Sequence, residues 1–157
     1  MKPILQSLLL GGLCAGLLDI MAACTNGYLR NGSSPMRIFQ SVAGGWFGRD
    51  TFQGGWKTAA IGLATHFLIA TIWAMVFTLA SAKLTLLTQH ALPLGVLYGV
   101  FVYLLMYAVV LPLSAWHSQF FNQSISAILT GVVIHIFCVG LPIALAARHF
   151  MRSANYP

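Results

Sequence analysis

Acidic side chains are nearly missing from this sequence. Asp19 and Asp50 are the two acids among 157 residues, and all charged residues together make up 6%. Ordinary soluble domains carry roughly 25%. Eight bases and two acids cannot cover a water-facing surface of this size, so a soluble globular protein is excluded. Disorder is excluded as well, because it requires high charge and low hydrophobicity. Here hydrophobic residues reach 59% and the mean hydropathy is +0.84. The formal net charge of +6 reflects the shortage of acids rather than an excess of Lys and Arg. Those bases form no dense patch, so nucleic acid is not an expected partner. Cysteine is scarce too. Cys14, Cys24 and Cys138 are an odd count with no short paired spacing, which points to buried small hydrophobes rather than a disulfide framework or a zinc site.

Long apolar runs are what the sequence does have. Crossing a hydrocarbon core of ~30 Å takes about 20 residues. Four segments qualify: Ile4–Ala23, Thr58–Ala80, Leu94–Leu111 and Ser126–Ala147. Backbone polar groups in lipid must be satisfied within their own segment, which makes each run a helix. The expectation is an all-α polytopic membrane protein, a single transmembrane domain over 1–157 built as a four-helix bundle in the lipid bilayer. Lys2 and the first run look superficially like a secretory signal. The run is long enough to span and Asp19 interrupts its end, so a retained helix is expected. Pro93 and Pro112 fence the third run at natural helix boundaries.

The connection from Cys24 to Lys57 is too long for a turn. Ser34 as a cap and Pro35 in a first turn begin a short helix over about 35–48. Ile38, Phe39, Val42, Trp46 and Phe47 share one side of it, and Arg37, Gln40, Ser41, Gly44 and Gly48 the other. This is the pattern of an amphipathic helix in the membrane interface, anchored by Trp46; covering a pocket is its second reading. Sidedness is close to a tie. Lys2, Lys83, Arg148 and Arg152 fall on the side of the termini, and Arg30, Arg37, Arg49 and Lys57 on the other. The loop Pro112–Ile125 has no Lys or Arg, which favours termini in the cytoplasm.

Small residues let membrane helices approach closely. Gly12 and Gly16 in the first span, and Gly95 and Gly99 in the third, recur at four-residue spacing. Gly62 precedes His66 by four residues in the second span, as Gly131 precedes His135 in the fourth. Asp19 continues the stripe of Gly12 and Gly16, and Tyr103 and Tyr107 continue that of Gly99. Every strongly polar residue of a span thus shares the small-residue face. The shared Gly-x-x-x-Gly and Gly-x-x-x-His patterns read as a parallel duplication of a helix pair. Depths agree with a common site: at 1.5 Å per residue, His66 and His135 each stand roughly 13 Å into their spans, with Tyr103 about 12 Å, Tyr107 about 6 Å and Asp19 about 7 Å from the same face. An upper layer of Asp19 and Tyr107 above a lower one of His66, His135 and Tyr103 is expected. An acid inside a span costs on the order of 2.5–3.5 kcal/mol and usually marks a site. The bland alternative for Asp19 is a bond to Arg37 or Arg49. For either histidine alone it is a bond to a neighbouring helix.

The ensemble of Gly11-Gly12-Leu13-Cys14-Ala15-Gly16 with Asp19, Ser34-Pro35, Ser41-Val42-Ala43-Gly44-Gly45, Gly54-Gly55, Gly62 to His66, and Leu111-Pro112-Leu113-Ser114 resembles a group of bacterial four-span inner-membrane proteins, the YagU-like group. The resemblance implies an inner-membrane location and no particular reaction. Three functions then compete. In the first, Asp19 carries a proton or pairs with a small solute, and His66, His135, Tyr103 and Tyr107 assist. In the second, His66 and His135 are axial ligands of a b-type haem, with Gly62 and Gly131 leaving room for the macrocycle. In the third, the chain is an accessory or assembly subunit, alone as a homo-oligomer or within a larger membrane complex. No cofactor is favoured. An enzyme is not expected: there is no acidic pair, nucleophile elbow or phosphate-binding loop, and Thr51-Phe52-Gln53-Gly54-Gly55 lacks the lysine that a phosphate loop needs. His117 and Asn122 read as solvated loop residues.

Overall fold

The computed structural model describes residues 3–117 and 123–155; Lys2 and Asn122 lie outside the described residues. Among the described residues six α-helical stretches follow in order, with a 3-10 turn at Gly48–Gln53 after the second: α1, Pro3–Asn31; α2, Pro35–Phe47; α3, Gly55–Lys83; α4, Leu86–Gln89; α5, Ala91–Leu113; and α6, Ile125–Arg152. Of these, α1, α3, α5 and α6 are long and apolar enough to cross a membrane. No strand occurs among the described residues. The chain is an all-α, multi-pass membrane protein.

Each crossing helix outruns its apolar run. Hydropathy marks the hydrocarbon slab, whereas a helix continues into the interface until the backbone is stopped. α1 runs on from Cys24 to Asn31 and ends at Gly32, whose φ of +67° is a left-handed conformation that glycine adopts without strain. The Gly32 N–H donates to the Tyr28 carbonyl at 2.9 Å, the bond of an αL stop, and the Ser33 N–H reaches the Gly27 carbonyl at 3.2 Å. The extension carries Arg30 across to α6. Its Nη2 donates to Ser126 Oγ at 3.2 Å and Thr130 Oγ1 at 3.1 Å.

The paired glycines set the helix contacts. A Cβ on Gly12 would lie 3.1 Å from Thr71 Cα, and one on Gly16 would lie 2.6 Å from the Phe67 ring, so both face α3. One on Gly95 would lie 2.9 Å from Ala144 Cβ, and one on Gly99 would lie 2.6 Å from Ile136 Cα, so both face α6. In each pair, the Gly-x-x-x-Gly helix packs on the Gly-x-x-x-His helix. Ala15, Ala74, Val102, Ile143 and Ala144 fill the centre between the pairs.

α2 begins as expected, with Ser34 Oγ accepting from the Arg37 N–H and Pro35 in the first turn. The side it turns to the rest of the protein is the small and polar one. Gln40, Ala43 and Gly44 are buried, while Trp46 and Phe47 are exposed. The small and polar side therefore meets protein. The physical cause is twofold. Gly62 lets the α2 backbone rest directly on α3, where a Cβ would collide with the Phe39 carbonyl. Gln40 finds buried partners there, its side-chain Nε2 donating to the Gly55 carbonyl at 3.0 Å and to Thr58 Oγ1 at 3.3 Å, while its backbone carbonyl accepts from Thr51 Oγ1 at 3.0 Å. A polar side with such partners gains more against protein than against lipid.

Both helices of the second pair contain one widened π turn, at Met106–Val110 in α5 and His135–Gly140 in α6. Each turn closes with a five-residue bond, Leu111 N–H to Met106 O and Leu141 N–H to Ile136 O. Each is followed at once by a proline, Pro112 or Pro142. A helical proline lacks the N–H for the carbonyl four residues back, and its ring clashes with it. Widening the preceding turn relieves that clash. Pro112 therefore does not end its helix: α5 continues to Leu113. Pro93 lies in the first turn of α5, where its missing N–H would have had no helical partner.

Candidate functional site

A cavity of about 960 Å³ opens among α1, α2, α3, α5, α6 and the segment after α5. Asp19 of α1, His66 of α3, Tyr107 of α5 and His135 of α6 all line it. Tyr103 does not. It is buried behind the wall, its ring 4.5 Å from that of Tyr107 and 5.3 Å from that of His135. The space for it is made by Gly131, since a Cβ there would touch the Tyr103 ring. The two expected layers thus meet in one aromatic cluster, with the Tyr107 and His135 rings edge-on and their centroids 6.1 Å apart. Both of these lining residues belong to π turns, which displace side chains from the regular helical path and recur at functional sites.

The backbone fixes the state of both imidazoles. His66 Nε2 lies 2.8 Å from the Gly16 carbonyl and His135 Nδ1 lies 2.9 Å from the Gly131 carbonyl. A carbonyl only accepts, so Nε2 carries the proton in His66 and Nδ1 carries it in His135. The second ring nitrogen, Nδ1 of His66 and Nε2 of His135, makes no hydrogen bond among the described residues. The His66 bond also spans two helices, tying α3 to the small-residue face of α1. A haem held by this pair would have to take Nδ1 of His66, because the other nitrogen is committed. Among the described residues, no three of His, Cys, Asp and Glu converge as a metal site would need.

Asp19 has neither of the arginine partners considered for it. Arg37 lies over the Phe52 ring, 4.7 Å from its centroid, and no ion pair or hydrogen bond to Asp19 forms among the described residues. Tyr107 and Cys138 lie within electrostatic reach of it. Among the described residues no Lys or Arg lines the cavity.

Sequence reasoning missed the tryptophans. Trp46, Trp73 and Trp116 line the cavity, and Trp46 had been assigned only an anchoring role. Trp46 Nε1 donates to Thr65 Oγ1 at 3.0 Å, and Trp116 Nε1 to the Ser41 carbonyl at 2.8 Å. Trp116 sits on Gly44, where a Cβ would come within 2.7 Å of the indole. The Ala115 N–H adds a bond to the Gly45 carbonyl at 3.0 Å. α2 and the segment after α5 therefore close one side of the cavity together. The available signal was the glycine pair 44–45, which supplies the indole seat and lies in a helix that otherwise gains nothing from glycine. His117, next in the chain, is exposed.

No family model, no curated protein and no solved structure matches this chain.

Proposed function

We propose that this chain is a bacterial inner-membrane protein of the YagU-like kind, with both termini in the cytoplasm, whose cavity handles protons or a small solute. One observation carries the reading. A single carboxylate, two imidazoles and a phenol line the same space, with no Lys or Arg beside them among the described residues. Ionisable groups are retained inside a membrane at a cost and mark solute or proton paths. Asp19 is the pairing group in this scheme. His66 and His135 accept protons or donor groups at their second ring nitrogens, and the Tyr107 hydroxyl serves as donor or acceptor. The test is flux through proteoliposomes of the full chain, driven by a pH gradient, for wild type against Asp19→Asn. A fall to the level of empty vesicles is expected in the variant. Flux equal to wild type removes Asp19, and this reading with it.

A further inference from the structure

We infer that the solute of this cavity is a lipophilic organic cation: an onium centre on an apolar body. The inference rests on the solute-handling reading above and narrows it to a chemical class.

Size is the first ground. The cavity of about 960 Å³ lies at the upper end of the roughly 300–1,000 Å³ that pockets for drug-sized molecules occupy. A path for protons alone needs a file of waters, not a chamber. Charge is the second. Asp19 is the one carboxylate on the wall, no Lys or Arg stands beside it, and it forms no ion pair among the described residues. No Lys or Arg on the wall pairs with this carboxylate, and an organic cation supplies that partner.

The distribution of donors and acceptors gives the third ground. An anion would need N–H groups directed at it. Both ring protons are already given to the Gly16 and Gly131 carbonyls, and the indole protons of Trp46 and Trp116 to Thr65 and Ser41. What remains on these groups is the second nitrogen of each imidazole and the π faces of the indoles. Tryptophan faces are the strongest aromatic partners of a cation, and the attraction grows when water is excluded. Finally, the large apolar lining residues Trp46, Val109, Val110 and Leu113 are exposed. The rim is apolar, so a solute with an oily body reaches the carboxylate without crossing a polar barrier.

The full chain in phosphatidylglycerol nanodiscs tests the class with two ions of nearly equal shape and opposite charge, tetraphenylphosphonium and tetraphenylborate. Binding is counted above that of empty nanodiscs. Saturable binding of the phosphonium and none of the borate is expected. Asp19→Asn should weaken the phosphonium at least about tenfold, ~1.4 kcal/mol, and Asp19→Glu should restore most of the loss. Should Asp19→Asn fail to fold, the comparison of the two ions on wild type still decides. Equal or tighter binding of the borate, absence of phosphonium binding, or undiminished phosphonium affinity in a folded Asp19→Asn each overturns the inference. Adding phosphatidylethanolamine to the disc separates two sources of such a cation. Competition assigns the site to the lipid ammonium headgroup, and indifference assigns it to a free solute; both keep the class. Flux that depends on Asp19 without phosphonium binding would sink this inference while leaving the solute-handling reading in place.

Discussion

Gly62→Ala is the sharpest test of how α2 is held. A methyl there would meet the Phe39 carbonyl group, with its carbon at 2.8 Å, and the Ala43 nitrogen at 3.0 Å. All of these are backbone atoms of a packed helix, and no flexible side-chain end can swing aside. Overpacking of this kind costs typically about 1–3 kcal/mol, and a backbone-on-backbone clash belongs at the upper end. Alanine returns about 1 kcal/mol of helix propensity. The net expectation is a loss of about 2 kcal/mol, which for a chain of this length lowers Tm by about 4–8 °C. Gly45→Ala is the matched control. It lies in α2, where the nearest atom to its new methyl, Ser114 Cβ, is 4.0 Å away. With propensity alone at stake, that variant should gain about 1 kcal/mol, or 2–4 °C. Thermal unfolding in one detergent, followed by tryptophan fluorescence, reads both. If the two variants shift in the same direction, the seating of α2 on α3 described above is refuted.

Three further outcomes follow from single contacts. Gly32→Ala forces an alanine to a φ of +67° where a Cβ meets nothing within 4 Å, so the penalty is purely conformational, about 1–2 kcal/mol; Gly32→Asn should recover part of it, and equal Tm values for all three chains would exclude the stop described for α1. The Ser7 and Thr78 hydroxyls bond at 2.9 Å in a buried position between α1 and α3, and Ser7→Ala should lower stability by about 0.6–1.7 kcal/mol in a denaturant titration. Trp116→Phe removes the bond to Ser41 and loosens the segment after α5 at a cost of about 0.5–1.5 kcal/mol, so the Ala115 amide should exchange hydrogen roughly 2- to 10-fold faster. Unchanged exchange at Ala115 would mean that the indole does not hold that segment.

The spans and the start of α2 were legible because they rest on local chemistry: uninterrupted apolar length, and Ser34 followed by Pro35. The glycine stripes were legible too, since periodicity places Gly12 with Gly16 and Gly95 with Gly99 whatever the neighbours are. Which neighbour each stripe meets is a tertiary fact. Gly62 was read with His66 as facing the bundle, yet it is α2 that lies on it. The side of α2 that meets protein was illegible for a related reason. Hydropathy ranks Gln40 as a water-facing residue, and only the Gly55 carbonyl and Thr58 hydroxyl beside its amide make burial favourable. Helix ends were underestimated wherever polar residues kept winding beyond the slab, as at Asn26 and Arg30. The cavity-lining indoles of Trp73 and Trp116 carried no periodic signature, because their placement depends on elements distant in the chain.

The widened turns of α5 and α6 also decide where chain length is negotiable. A one-residue deletion inside a regular membrane helix rotates everything beyond it by about 100°, exchanging lipid-facing for protein-facing side chains. Met106–Val110 and His135–Gly140 each hold a surplus residue already. A deletion there returns the helix to ordinary winding and leaves both flanks aimed as before. It also restores the collision with the ring of Pro112 or Pro142. The shortened span is therefore tolerated only when its proline is replaced in the same step, so the extra residue and the imino acid form one inseparable unit of insertion.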